Sequence, residues 1–157
     1  MGGHTVQHMD QNKVSWLGSS LNYTKAILSS FITYDKSPIK WISDQNTWEG
    51  KVMSMVVANG KYFGSGLAIA PNAKMNDGKF TLVTLGDINI LDYIKNLGKV
   101  KSGQLIDHKE VTYNEAKKVT IEPLDGKKLP IDMDGDFVGY CPMTIQCIPQ
   151  AISFLVD

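Results

Sequence analysis

Beyond Pro38 the chain repeatedly alternates and then reverses. Apolar residues recur at every second position, and the short apolar runs end at Asn-Gly, Asp-Gly or Pro signals. A period of two places alternate side chains on opposite faces of a strand, and such turns fold the strand back. In "PIKWIS", Ile39 and Trp41 alternate with Lys40; in "KKVTIEPL", Val119 and Ile121 alternate with Thr120 and Glu122; in "MTIQCIP", Met143, Ile145 and Cys147 alternate with Thr144 and Gln146. "TWEGKVMSMVVANG" reads as one long β-rich run ended by Asn59-Gly60. "KYFGSGLAIAP" reads as a strand whose glycines mark a bulge or a close backbone approach, and "KFTLVTL" as a buried strand. Asp125-Gly126 is a hairpin signal, and Asp134-Gly135 is a second acidic turn. Short strands at this spacing argue an antiparallel sandwich or barrel. The fold class expected is mainly β, an antiparallel β-sandwich with one or two helices.

Two segments keep a helical period instead. In "WLGSSLNYTKAILSSFITYDK", Leu17, Leu21, Thr24 and Leu28 share one stripe, widened by Ala26, Ile27, Phe31 and Ile32. A helix is expected from about Gly18 to Thr33, ended by Ser37-Pro38. In "NILDYIKNLGKV", Ile90, Leu91, Ile94 and Leu97 share a face, and Gly98 is the expected stop.

The 157 residues suffice for one domain with a sizeable core. Sixteen basic residues balance sixteen acidic ones, so nothing in the charge argues for nucleic acid. No apolar run approaches the roughly 20 residues of a membrane span, and "MGGHTVQHMDQNK" lacks the apolar core of a secretory signal. Cys141 and Cys147 fit no zinc spacing and read as reduced strand residues of a cytoplasmic protein.

Four features bear on chemistry. His4 and His8 stand at i, i+4, but Gly2 and Gly3 weaken a helix there and no third metal ligand is evident. Trp16, Trp41 and Trp48 fall on apolar stripes and read as core. Gly64-Ser65-Gly66 could cradle a phosphate through converging backbone N–H groups. No helix start follows it, so it is neither a Walker loop nor a dinucleotide fingerprint. Finally, Asn76-Asp77-Gly78 and Asp134-Gly135-Asp136 each admit two readings. Either is a plain hairpin turn, or it projects a carboxylate suited to phosphoryl transfer. One such carboxylate would hold Mg²⁺ or its waters, and another would accept the proton of the attacking hydroxyl.

The order of these motifs resembles the C-terminal domain of the diacylglycerol kinase and sphingosine kinase superfamily, especially its bacterial lipid kinases. The family pattern is an Asn-Gly turn, a glycine-rich strand, Ala-Pro-x-Ala, an Asp-Gly with a strand, and much later Asp-Gly-Glu. The matching residues are Asn59-Gly60, Gly64-Ser65-Gly66, Ala70-Pro71-Asn72-Ala73, Asp77-Gly78 and Asp134-Gly135-Asp136. The likeness runs from Gly2-Gly3 to the last strand. No single motif is specific, but five in order are. The acidic motifs of NAD kinase, a relative with a comparable plan, differ and fit less well.

The resemblance implies a two-domain, ATP-dependent lipid kinase. Its N-terminal α/β domain would carry a Gly-Gly-Asp-Gly-Thr nucleotide loop, which this chain lacks. Residues 1–157 are therefore expected to be the second, lipid-binding domain alone. Met1 would mark a cut junction, and the chain alone would be inactive. The resemblance assigns a structural Mg²⁺ to the Asp77 carboxylate and the backbone carbonyls of Lys74 and Lys79. It assigns the proton acceptor to Asp136, supported by Asp134, and places Gly64 and Gly66 on the nucleotide side. Partners implied are the nucleotide-binding domain, a lipid substrate and a transient membrane surface, for a cytoplasmic protein peripheral to the membrane. Exposed sheet edges on such a half-enzyme would offer a route to a homo-oligomer. Acyl chains would need an apolar opening, for which the stretches from Ala58 to Ala70 and from Met143 to Phe154 are candidates. The main departure is Asp136 where the family has glutamate, because its carboxylate reaches about 1.5 Å less. Ser65 in place of a middle glycine is a milder one. The rival reading is a non-catalytic lipid-binding or regulatory module of the same fold.

Overall fold

The structure, a computed structural model, describes residues 35–64 and 66–153. The helix expected from Gly18 to Thr33, together with His4, His8 and Trp16, lies outside the described residues. Among the described residues, nine strands and one helix follow in order. They are β1 (Ser37–Ser43), β2 (Thr47–Val52), β3 (Ser54–Ala58), β4 (Phe80–Leu85), α1 (Ile90–Lys101), β5 (Val111–Ala116), β6 (Lys118–Pro123), β7 (Pro130–Met133), β8 (Asp136–Tyr140) and β9 (Met143–Gln146). One sheet has the order β2-β1-β6-β9, a second β3-β4-β5, and among the described strands β7 pairs only with β8. Every pairing is antiparallel, as the alternation predicts.

Two apolar cores result. Alternate residues of the first sheet, Ile39, Trp41, Val119 and Ile121, pack with Leu82 and Ala116 of the second. Their neighbours Lys40, Thr120 and Thr144 point outward, where the two threonine hydroxyls lie 2.9 Å apart. The other face of the second sheet carries Val83, Leu85 and Val111. It is covered by Val100 and Leu97 of α1 and by Leu67, Ile69, Ala70 and Ala73 of the preceding loop. The indole N–H of Trp41 crosses between the sheets and donates to Thr84 Oγ1 at 3.1 Å.

Tertiary contacts revise four local expectations. The long run from Thr47 to Gly60 is not one strand. Val52 is buried in the core between the sheets, whereas Met53 is buried in the core beneath α1. The Met53 N–H donates to the carbonyls of Leu85 and Gly86, which draws the chain into the second sheet. "KYFGSGLAIAP" keeps only one isolated bridge, Phe63 to Leu67, because Leu67 to Ala70 are spent on covering the second sheet. Asp125-Gly126 turns the chain, with Lys127 N–H donating to Asp125 Oδ1, but its flanking strands β6 and β7 do not pair.

The fourth revision is α1, which runs past Gly98 to Lys101. It stops at Ser102, whose N–H donates to the Gly98 carbonyl, and at Gly103 with φ +71°. The buried face is Tyr93, Asn96, Leu97 and Val100, while Leu91 and Ile94 are exposed. The helix start is closed by Asn89, which accepts the Asp92 N–H and donates its side-chain amide to the Asp92 carboxylate. Asp92 also meets His108 Nε2 at 3.4 Å, which ties the loop after α1 back to its first turn.

These contacts predict opposite outcomes for two glycines. A Cβ on Gly86 would lie 2.8 Å from Glu110 Oε2 and 3.0 Å from the Glu110 carbonyl. Gly86→Ala is expected to cost about 1–3 kcal/mol in urea unfolding, because that carbonyl is fixed by the Gly86 N–H. A Cβ on Gly98 meets nothing within 4 Å. Gly98→Ala, in an exposed helical position, is expected to stabilise by about 0.5–1 kcal/mol.

Candidate functional site

The acidic turn Asp134-Gly135 joins β7 to β8, with Met133 opposite Asp136. Both central residues have positive φ, +53° at Asp134 and +100° at Gly135. That pair is the signature of a two-residue type I′ hairpin, which suits Asp-Gly and follows the right-handed twist of the strands. The turn is held from the side by Asp132, whose Oδ1 accepts the Gly135 N–H at 2.8 Å. The pairing slips between Ile131 and Asp132. Asp132, Asp134 and Asp136 are all exposed.

Apolar side chains surround this acidic tip. Met133, Phe137, Val138 and Tyr140 are each 41–55% exposed, an unusual density for the eleven residues of hairpin. Phe137 and Tyr140 meet edge to face with centroids 5.2 Å apart, and the Lys128 ammonium lies 5.6 Å from the Tyr140 ring centroid. At its base the hairpin is anchored by the Cys141 N–H donating to the Leu129 carbonyl, and both residues pack on the core between the sheets. Burial pushes the Cys141 thiol pKa up, so it stays protonated. Both cysteines are free, but neither is the strand residue expected: Cys141 follows β8 and Cys147 follows β9.

Asp77 stands elsewhere. Its Oδ1 accepts the Lys79 N–H at 3.0 Å, closing an Asx turn over Gly78, whose φ is +71°. A Cβ on Gly78 would come within 3.2 Å of Pro149 Cγ, so this turn abuts the segment that follows β9. The Lys79 ammonium donates to Glu115 Oε2 at 2.8 Å, and that bond holds the lysine pKa above its ordinary value. The two acidic turns are therefore rooted at opposite ends of the β6–β9 pair. The Asp77 turn adjoins the Lys118/Gln146 end, and the Asp136 hairpin springs from the Ile121/Met143 end. No sequence argument separated them in this way.

For a cation at Asp77, the donor set is one exposed carboxylate and backbone carbonyls. Among the described residues, no hydrogen bond ends on the Lys74 carbonyl, and only Oδ1 of Asp77 is engaged. Hard oxygen donors of this kind fit Mg²⁺, with waters completing its shell.

The glycine loop is a tight turn closed by reciprocal bonds between the Phe63 and Leu67 backbones. Gly64 and Gly66 both take positive φ, and the Gly66 N–H donates to the Gly64 carbonyl at 2.9 Å. That N–H is directed into the turn, and a Cβ on Gly66 would find open space. Of the stretches expected to open toward acyl chains, Tyr62, Ile148 and Ile152 present exposed apolar side chains.

Sequence reasoning missed two carboxylates with structural roles. Asp132 locks the second acidic turn, and its place two residues before Asp-Gly was the available signal. Asp44 accepts the N–H groups of Lys117 and Lys118, fastening the β1–β2 turn to the β5–β6 turn. Desolvation raises the Asp44 pKa, but these N–H bonds outweigh it and hold the group below its usual value.

Comparison with known proteins agrees with this architecture. The chain is 25% identical over 99 residues to a diacylglycerol kinase of Bacillus subtilis, covering 63% of this chain and 32% of that protein. It is 24% identical over 147 residues to a diacylglycerol kinase of Mycobacterium tuberculosis, covering 92% of this chain and 46% of that protein. A crystal structure of a diacylglycerol kinase from Bacillus anthracis str. Sterne superposes with a TM-score of 0.65 at 22% identity, over 85% of this chain and 47% of that one. The chain thus spans less than half the length of the curated relatives it matches. Residues 2–156 match the family described as the YegS C-terminal NAD kinase beta sandwich-like domain, and the chain belongs to that family.

Proposed function

We propose that this chain is the lipid-binding, base-contributing domain of an ATP-dependent lipid kinase. The observation that carries the reading is the hairpin tip. It projects Asp136 from a locked type I′ turn amid exposed apolar side chains, in a chain of this family. In the reaction, the Asp136 carboxylate accepts the proton of a lipid hydroxyl. The freed oxygen attacks the γ-phosphorus of ATP in line, and the bond from that phosphorus to the β–γ bridging oxygen breaks. ATP would be held mainly by a second, nucleotide-binding domain, with Gly64 and Gly66 allowing it to come close. Asp134 would support Asp136 from the same turn. Phe137, Val138 and Tyr140 would meet acyl chains or the membrane surface beside the reacting hydroxyl. A lipid-panel kinase assay on the full-length gene product tests the reading. Phosphorylation of a lipid with a primary hydroxyl supports it. No turnover with any lipid, despite lipid binding, would leave the non-catalytic module instead.

Asp77 and the carbonyls of Lys74 and Lys79 would hold Mg²⁺, which supplies positive charge that fixes the loop and takes no proton. MgCl₂ is expected to stabilise the protein against urea by about 1.4 kcal/mol at ten times its Kd. The gain should vanish in Asp77→Ala. An equal Mg²⁺ gain in that variant would remove the metal from this turn.

A further inference from the structure

We infer that Asp132 is a positioning residue, whose carboxylate locks the Asp134-Gly135 turn and so sets where Asp136 stands. The inference rests on the proton-acceptor reading above for its functional half, and on geometry for the rest. An isolated two-stranded hairpin is marginal in water, and β7 has only four residues. Its ladder is also irregular where it should steady the tip, between Ile131 and Asp132. Asp134 must also hold a positive φ, which aspartate takes up less freely than glycine. Something must hold this tip, and the 2.8 Å bond from Gly135 N–H to Asp132 Oδ1 is the bond observed there.

The direction of this bond separates positioning from catalysis. Cross-strand partners share a face, so Met133 and Asp136 lie on one side of the hairpin, and Asp132 and Phe137 on the other. The Asp132 carboxylate is behind the proposed base. It fixes the Asp134–Gly135 peptide, and only the Gly135 Cα and one further peptide separate that unit from Asp136. What Asp132 supplies is an acceptor oxygen, and its charge is incidental. An asparagine would supply the same oxygen, whereas an alanine would not.

The test uses the full-length gene product labelled with ¹⁵N-glycine. Asp132→Ala is expected to speed solvent exchange of the Gly135 amide about fivefold. Its kcat should fall about tenfold or more, as for a base displaced by part of an ångström. The KM for ATP should stay within about twofold, and the unfolding midpoint should not move. Asp132→Asn should restore both the exchange rate and kcat. Equal loss of kcat in Asp132→Asn and Asp132→Ala would overturn the proposal, since charge would then be what matters. So would an unchanged Gly135 exchange rate in Asp132→Ala. Failure of the underlying reading shows separately. Full turnover by Asp136→Asn, with the Gly135 result intact, would remove the proton-acceptor role and the functional half of this assignment with it.

Discussion

Replacing Asp136 by asparagine in the full-length protein is expected to lower kcat about 10²- to 10⁴-fold, the range a positioned general base contributes. The amide is almost isosteric and keeps the hairpin register with Met133, so the KM values for lipid and ATP should change little. Asp134→Asn should behave differently. Asparagine tolerates positive φ at least as well as aspartate, so the turn survives and most activity should remain. If Asp134→Asn abolishes turnover while Asp136→Asn retains it, the two roles are reversed. Asp136→Glu is a further arm, because it adds the methylene that the family motif carries. A rise in kcat would show that reach limits this site, and a fall would show that the hairpin already compensates.

The largest effect on stability is expected at Trp41. It is 1% exposed at the centre of the core between the sheets, and its N–H bonds to Thr84, itself 1% exposed. Trp41→Ala should cost about 3–5 kcal/mol for the cavity. The stranded Thr84 hydroxyl should add about 1–3 kcal/mol. Domains of this size are typically stable by about 5–15 kcal/mol, so the variant should unfold at low urea or fail to fold. Trp41→Phe keeps most of the packing and loses the hydrogen bond, so it should fall between Trp41→Ala and the parent. A urea midpoint for Trp41→Ala within error of the parent would mean that the sheets do not depend on this contact.

The two substitutions bracket what was legible in the chain. Trp41 was readable as core because Ile39 and Trp41 alternate with Lys40, and alternation is a local property. The turn before Asp136 was readable because Asp-Gly favours type I′ geometry, and the motif order is what proposes Asp136 as the base. The position of Asp132 two residues before Asp-Gly hinted at a local role, but its bond to the Gly135 N–H depends on where the side chain lands after the hairpin closes. The helix limit shows the same boundary. Gly98 is a breaker by propensity, yet α1 continues for three residues because Val100 is buried against the second sheet and rewards the extra turn.

By itself the sequence determined the class of fold, the turns and the strand faces, because period-two patterning and Asp-Gly or Asn-Gly dipeptides act over a few residues. Only the tertiary structure decided which sheet each strand joined. Val52 and Met53 are neighbours in the chain but sit in different cores, a choice made by the distant carbonyls of Leu85 and Gly86. It also decided that the Asp77 turn and the base of the Asp136 hairpin lie at opposite ends of the β6–β9 pair. Non-local pairing of β6 with β9 sets that separation, and no short stretch of chain encodes it.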